Sequence, residues 1–191
     1  MDAPQDKAAP RWGLQYLCAM LLFAAPALAQ NLPVVPDNAL IEAARAGDVA
    51  RLDAVLATGY DVDRRGRKRV TALIIAAEWG HEAAVRHLLE AGAAVDMRDA
   101  SGRTALGVAI ARRRFEIAKH LLAAGADPDR PAFDNEVAII LAARDGHMRF
   151  VELLLAAGAD PHETDATGRT ALDWARANRH ARIAEILEAV E

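Results

Sequence analysis

The stretch Leu88-Leu89-Glu90-Ala91-Gly92-Ala93 closes an apolar run on a glycine, and the same ending returns at Gly59, Gly125 and Gly158, a constant spacing of 33 residues. A unit of this length cannot bury its hydrophobic face alone and must stack on copies of itself. Stacking leaves an extended surface suited to holding another molecule, so the period points to a binder before any single side chain is weighed. Outward from Gly92 the units align without insertion as 38–63, 64–96, 97–129, 130–162 and a shortened 163–191.

Composition agrees with short, closely packed helices. Of 191 residues, 53% are hydrophobic, 26% charged and only 5% aromatic, which suits one globular all-α domain better than a sandwich rich in bulky side chains. The formal net charge of -4 gives no general attraction to phosphate backbones, so no nucleic-acid partner is expected.

The first thirty residues read differently. Lys7 and Arg11 precede an apolar run from Tyr16 to Ala25, and Ala27-Leu28-Ala29 offers the small residues that a signal peptidase reads. Residues 1–29 are therefore expected to be a signal peptide cut after Ala29, with 30–36, which carry Pro33 and Pro36, as a linker to a domain at 37–191. The rival reading is a retained anchor, but Tyr16 to Ala29 is 14 residues and contains Pro26, whereas a span needs about 20. Export, with a periplasmic destination, is the expectation. Cys18, the only cysteine, lies in the removed segment, so no structural disulfide is expected. Asp2 and Asp6 leave together with Lys7 and Arg11, so the mature charge stays at -4.

Asp99-Ala100-Ser101-Gly102-Arg103-Thr104-Ala105-Leu106 and Asp165-Ala166-Thr167-Gly168-Arg169-Thr170-Ala171-Leu172 resemble the opening of an ankyrin repeat. Each is followed by an alanine-rich first helix, a turn, and a second helix ending in leucines. The resemblance covers residue 38 to the C-terminus. It implies an all-α ankyrin-repeat solenoid of stacked helix-turn-helix units, about five with degenerate caps, and short β-hairpin or turn fingers on one side.

Elementary chemistry explains the motif positions. Thr71, Thr104 and Thr170 stand where a hydroxyl caps the first helix, and Val137, at the same position, cannot. Gly80 and Gly146 fit the reversal between paired helices, whereas Arg113 and Arg179 stand in that glycine's place, which predicts a less regular turn in the third unit. Trp174 aligns with Ile75, Val108 and Leu141 and is expected in the core. Leu89, Leu122 and Leu155 give way to Glu188 in the last unit, so the domain is expected to end there with a cap.

The chain offers little for catalysis. His81 and His147 are repeat equivalents in the interhelical turn, where a histidine serves the turn's hydrogen bonds. His87 and His120 are equivalents on second helices without a second ligand at i+3 or i+4, and His162 and His180 match no ligand pattern. There is no phosphate loop of the Walker type and no nucleophile elbow. No enzymatic activity, metal or cofactor is expected.

Contact residues of the ankyrin family come from the finger tips and the exposed ends of the first helices. By that resemblance the partner-binding candidates are Arg67, Lys68, Trp79, Arg103, Arg112, Phe133, Asp134, Arg144, Asp145 and Arg169. Trp79 and Phe133 are large aromatics that the stack does not need to bury, and aromatic and arginine residues anchor interfaces most often. A tryptophan lying flat on its own helix is the alternative for Trp79.

The first finger, Arg64-Arg65-Gly66-Arg67-Lys68-Arg69, holds five basic residues in six, with Gly66 where Asp99 stands and Arg69 where Gly102 stands. It is expected to be distorted, and either to meet an anionic surface or to be a solvated charge run. The chain is similar to small periplasmic ankyrin proteins of Gram-negative bacteria, some associated with oxidative-stress defence. The expectation is a monomeric exported scaffold with one protein partner; the alternative is an inhibitor or immunity protein that neutralises a toxic enzyme in the same compartment.

Overall fold

The structure, a computed structural model, describes residues 38–132 and 136–190. The signal peptide and linker expectations, and the candidates Phe133 and Asp134, lie outside the described residues. The described residues form five helix pairs: α1 Ala39–Ala46 with α2 Val49–Leu56, α3 Ala72–Trp79 with α4 Glu82–Glu90, α5 Ala105–Ala111 with α6 Phe115–Ala123, α7 Ala138–Arg144 with α8 Met148–Ala156, and α9 Ala171–Ala177 with α10 Ala181–Glu188. First helices stack on first helices and second on second, so the main contacts of each pair are with its neighbours.

The first helices are apolar nearly all round, because partners cover them on both sides. In α3, Ala72 to Ala77 are all buried, and in α7 Ala138 to Ala143 are. Alanine at Ala76, Ala109, Ala142 and Ala175 leaves room for close approach, while Leu73, Ile74, Ile110, Ile140 and Leu141 fill the space between layers. The second helices bury one stripe, such as Ala84, Val85 and Leu88 on α4.

Thr71 accepts a hydrogen bond from the Ile74 amide at 3.3 Å, Thr104 from Gly107 at 3.1 Å, and Thr170 from Asp173 at 3.2 Å; Val137 makes no such cap. Gly92 ends its unit with φ +85° and nothing within 4 Å of where a Cβ would sit, so backbone conformation alone selects glycine there. The expected irregular turn at Arg113 is absent. Arg113 adopts φ 57° and Arg179 φ 61°, close to the glycine they replace. Arg114 N–H still bonds the Ala109 carbonyl at 2.7 Å, as His81 N–H does Ala76 at 3.0 Å. Packing on both sides holds the turn, and the residue carries the strain.

The expected β-hairpin fingers do not form. Among the described residues there is no strand, only an isolated bridge position at Glu136, and the fingers at 64–71, 97–104 and 163–170 are tight turns. In the second and last fingers the aspartate accounts for this. Asp99 Oδ1 accepts from the amides of Ser101 at 2.8 Å and Arg103 at 3.0 Å, and Asp165 Oδ1 from Thr167 at 2.7 Å and Arg169 at 3.1 Å. A carboxylate that satisfies the loop amides removes the donors a ladder would use. In the first finger Gly66 supplies no carboxylate, and Arg67–Arg69 form a 3-10 turn with Lys68 at φ 59° and Arg69 at φ 57°. That finger is distorted as expected.

Aspartates also join the units. Asp63 accepts from the Ala94 amide at 3.0 Å, Asp96 from Asp127 at 3.2 Å, and Asp129 from Asp160 at 2.9 Å, each time 31 residues ahead. His162 occupies the next position of the series.

Candidate functional site

The ends of α1, α3 and α5 lie side by side and frame a groove of about 630 Å³ lined by Arg45, Ile75, Glu78, Trp79, Arg112 and Arg114. Trp79 is the last residue of α3, and Gly80 turns the chain away at once, so the indole stands on the rim and is 55% exposed. A large exposed aromatic beside cationic side chains is the composition of an interface anchor.

Glu78 organises the groove floor. Its carboxylate lies 2.9 Å from Arg112 and 3.5 Å from Arg103, and Arg103 in turn pairs with Asp99 at 2.8 Å. Asp99 is buried, with 3% of its side chain exposed, whereas 57% of Arg112 is exposed. The candidates thus divide. Arg112 presents its charge to solvent, while Arg103 is drawn inward as the counter-ion of a buried carboxylate.

The remaining candidates fall at separate places. Arg67 and Lys68 are exposed on the first finger, whose Lys68 carbonyl accepts from the Ala100 amide at 2.8 Å, tying first finger to second. Arg144, at the end of α7, is held by both oxygens of Glu136 at 2.7 and 2.6 Å and by Asp145 at 3.2 Å. Arg169 lies over the Trp174 ring, 4.9 Å from its centre. Among the described residues Trp79 and Arg112 of the candidate set line the groove; Arg45 and Arg114, which complete it, were not in that set.

Trp174 is half-buried rather than core. Its indole N–H donates to Asp165 at 2.7 Å, and this bond, with those from Thr167 and Arg169, holds the Asp165 carboxyl well below the usual carboxylate range, the Thr167 hydroxyl contributing most.

Four of the histidines join neighbouring units. His81 Nε2 donates to the Arg45 carbonyl at 2.9 Å and His180 Nε2 to the Arg144 carbonyl at 3.1 Å, each reaching the preceding unit. His180 is therefore the third member of the His81 and His147 series, which the sequence reading overlooked. His87 and His120 are more than loose surface residues, since they pair with Asp53 at 2.7 Å and Glu82 at 3.1 Å on the preceding second helix. Burial, then the Arg113 charge, lowers the His147 pKa. Among the described residues no group of three or more His, Cys, Asp or Glu side chains is placed to hold a metal ion. Among the same residues no helix is long and apolar enough to cross a membrane.

Family models agree with this geometry. A model of ankyrin repeats in three copies matches residues 40–132, and one of ankyrin repeats in many copies matches residues 121–175. A search of curated proteins finds no match. The ankyrin architecture is a non-catalytic scaffold for protein interaction, and on its stacked helix pairs and the matches from 40 to 175 this chain belongs to the ankyrin-repeat family.

Proposed function

We propose that the chain is an exported scaffold that captures one protein partner in the groove at the ends of α1, α3 and α5. The observation that carries this reading is the 55% exposed Trp79 on the rim of that groove, with Arg45, Arg112 and Arg114 around it. An aromatic anchor ringed by guanidinium groups suits a partner surface with an apolar pocket bordered by carboxylates. The leader supports export: Lys7 and Arg11, an apolar run, then Ala27-Leu28-Ala29. Without Cys18 the mature protein carries no thiol, which suits an oxidising compartment and a place in oxidative-stress defence.

Affinity capture from periplasmic extract with the wild-type protein, Trp79→Ala and Arg112→Ala tests the groove. One protein is expected to co-purify with the wild type and to be depleted at least tenfold with Trp79→Ala, at unchanged melting temperature. Equal recovery with both variants would place the interface elsewhere. N-terminal sequencing of the exported protein tests the leader, with Gln30 expected as the first residue.

A further inference from the structure

A second cavity, of about 640 Å³, lies at the fingers and shares no lining residue with the Trp79 groove. Four arginines border it: Arg65 and Arg69 of the first finger, Arg98 of the second, and Arg130 at the start of the third. Two carboxylates, Asp96 and Asp99, are also in its wall.

Of the four arginines, these carboxylates offset only Arg130. Asp99 is engaged by the Arg103 guanidinium and by the amides of Ser101 and Arg103. Asp96 accepts from the Asp127 amide and feels the charge of Arg130. Arg98 donates from Nε to the Gly102 carbonyl at 2.9 Å, a neutral group that leaves its charge standing. Among the described residues neither Arg65 nor Arg69 is ion-paired. Three of the four arginines that border the cavity, Arg65, Arg69 and Arg98, therefore make no ion pair among the described residues.

The backbone beneath them is strained. Lys68 at φ 59° and Arg69 at φ 57° are consecutive left-handed residues where the second finger uses Gly102. Such outliers cluster at ligand clamps, where the surroundings hold them in place. The like charges of Arg64 to Arg69 add mutual repulsion that a bound anion would relieve.

We propose that this cavity binds a soluble polyphosphate anion, a ligand with two or more linked phosphate groups. The guanidinium fork matches phosphate oxygens through paired hydrogen bonds. Linked phosphates place several negative charges on adjacent centres, which is what three uncompensated cations around one cavity require. An acidic peptide spreads one charge per residue and meets this need less well. A membrane headgroup is disfavoured because the exposed large hydrophobic residues, Trp79, Met148 and Val190 among the described residues, do not border the cavity. The site is independent of the protein-binding groove.

Isothermal titration of the protein with inorganic pyrophosphate tests the site. One-to-one binding that weakens with added salt is expected, and Trp79→Ala is expected to leave it unchanged. The double variant Arg65→Gln, Arg69→Gly should bind at least tenfold more weakly; glycine at 69 suits the positive φ, so its melting temperature should not fall. Arg130→Gln, on a different segment, should weaken binding severalfold and serves as a second probe if the double variant is unstable. Absence of saturable heat with pyrophosphate, or undiminished affinity in both variants, overturns the proposal. Equal affinity for citrate overturns the phosphate assignment, and sedimentation with anionic phospholipid vesicles without pyrophosphate binding overturns the soluble one.

Discussion

The indole N–H of Trp174 donates to Oδ2 of Asp165 at 2.7 Å, fastening the last finger to the helix that follows it. Asp165 titrates below its ordinary value of 3.8, so the stability it contributes is complete above that pH and is lost only as pH falls through its depressed pKa. The Trp174 indole resonance is therefore expected to stay fixed while ordinary carboxylates protonate and to move only at lower pH. Movement in step with the exposed carboxylates would show that the bond does not hold the proton off. In Asp165→Asn the low-pH step should vanish.

Arg113→Gly is expected to stabilise the protein. The arginine sits at φ 57°, and a non-glycine residue there costs about 1–2 kcal/mol, partly offset by glycine's extra freedom in the unfolded chain. A net gain of about 1 kcal/mol in urea unfolding is expected. An unchanged or lower midpoint would mean that Arg113 makes compensating contacts.

The same substitution removes a cation that lowers the His147 pKa. A lowered histidine pKa favours the neutral form in the fold, so its stabilisation is present above 6.5 and lost as pH falls through the folded value. In Arg113→Gly the His147 ring resonance should titrate closer to 6.5, and the loss of stability below that pH should shrink. Burial, the larger cause, remains.

Thr104→Val should destabilise by about 1 kcal/mol through loss of the cap on α5, and Val137→Thr should return a similar amount to α7. Thermal melts of the two single variants and of their combination check this, and additive shifts are expected because the caps share no partner.

Arg103→Ala and Arg112→Ala should part company. Arg112 is exposed and its loss should change stability little. Removing Arg103 leaves the buried Asp99 without its guanidinium, a cost of about 1–3 kcal/mol. Equal melting temperatures would show that the Arg103 guanidinium does not stabilise the buried Asp99.

The repeating backbone was legible because its causes are local. Glycine at Gly92 follows from its own φ, and the threonine caps from an amide three residues on. What escaped the sequence depends on the neighbouring unit. Trp174 shares its position with the buried Ile75, Val108 and Leu141, yet no further unit among the described residues covers it, so its N–H turns to Asp165. Arg103 resembles a finger-tip charge until Glu78 of the preceding unit and Asp99 draw it in. The aspartates at Asp63, Asp96 and Asp129 look like solvated loop charges, because their partners are backbone amides that no side-chain pattern marks. The groove was half legible: Trp79 and Arg112 break the repeat, whereas Arg45 and Arg114 are brought beside them only by stacking.

The amides reached by Asp63, Asp96 and Asp129 bear on how such a chain lengthens and shortens through generations. Each carboxylate belongs to the earlier unit and its amide to the later one, at the same offset. Excision of 64–96 would bring Asp63 to the Asp127 amide that Asp96 now holds, so loss of one whole period restores the same bond. Loss of a length that is not a whole number of periods would strand both partners. The junction aspartates thus favour changes in size by whole repeats, since only those leave every carboxylate an amide to accept from.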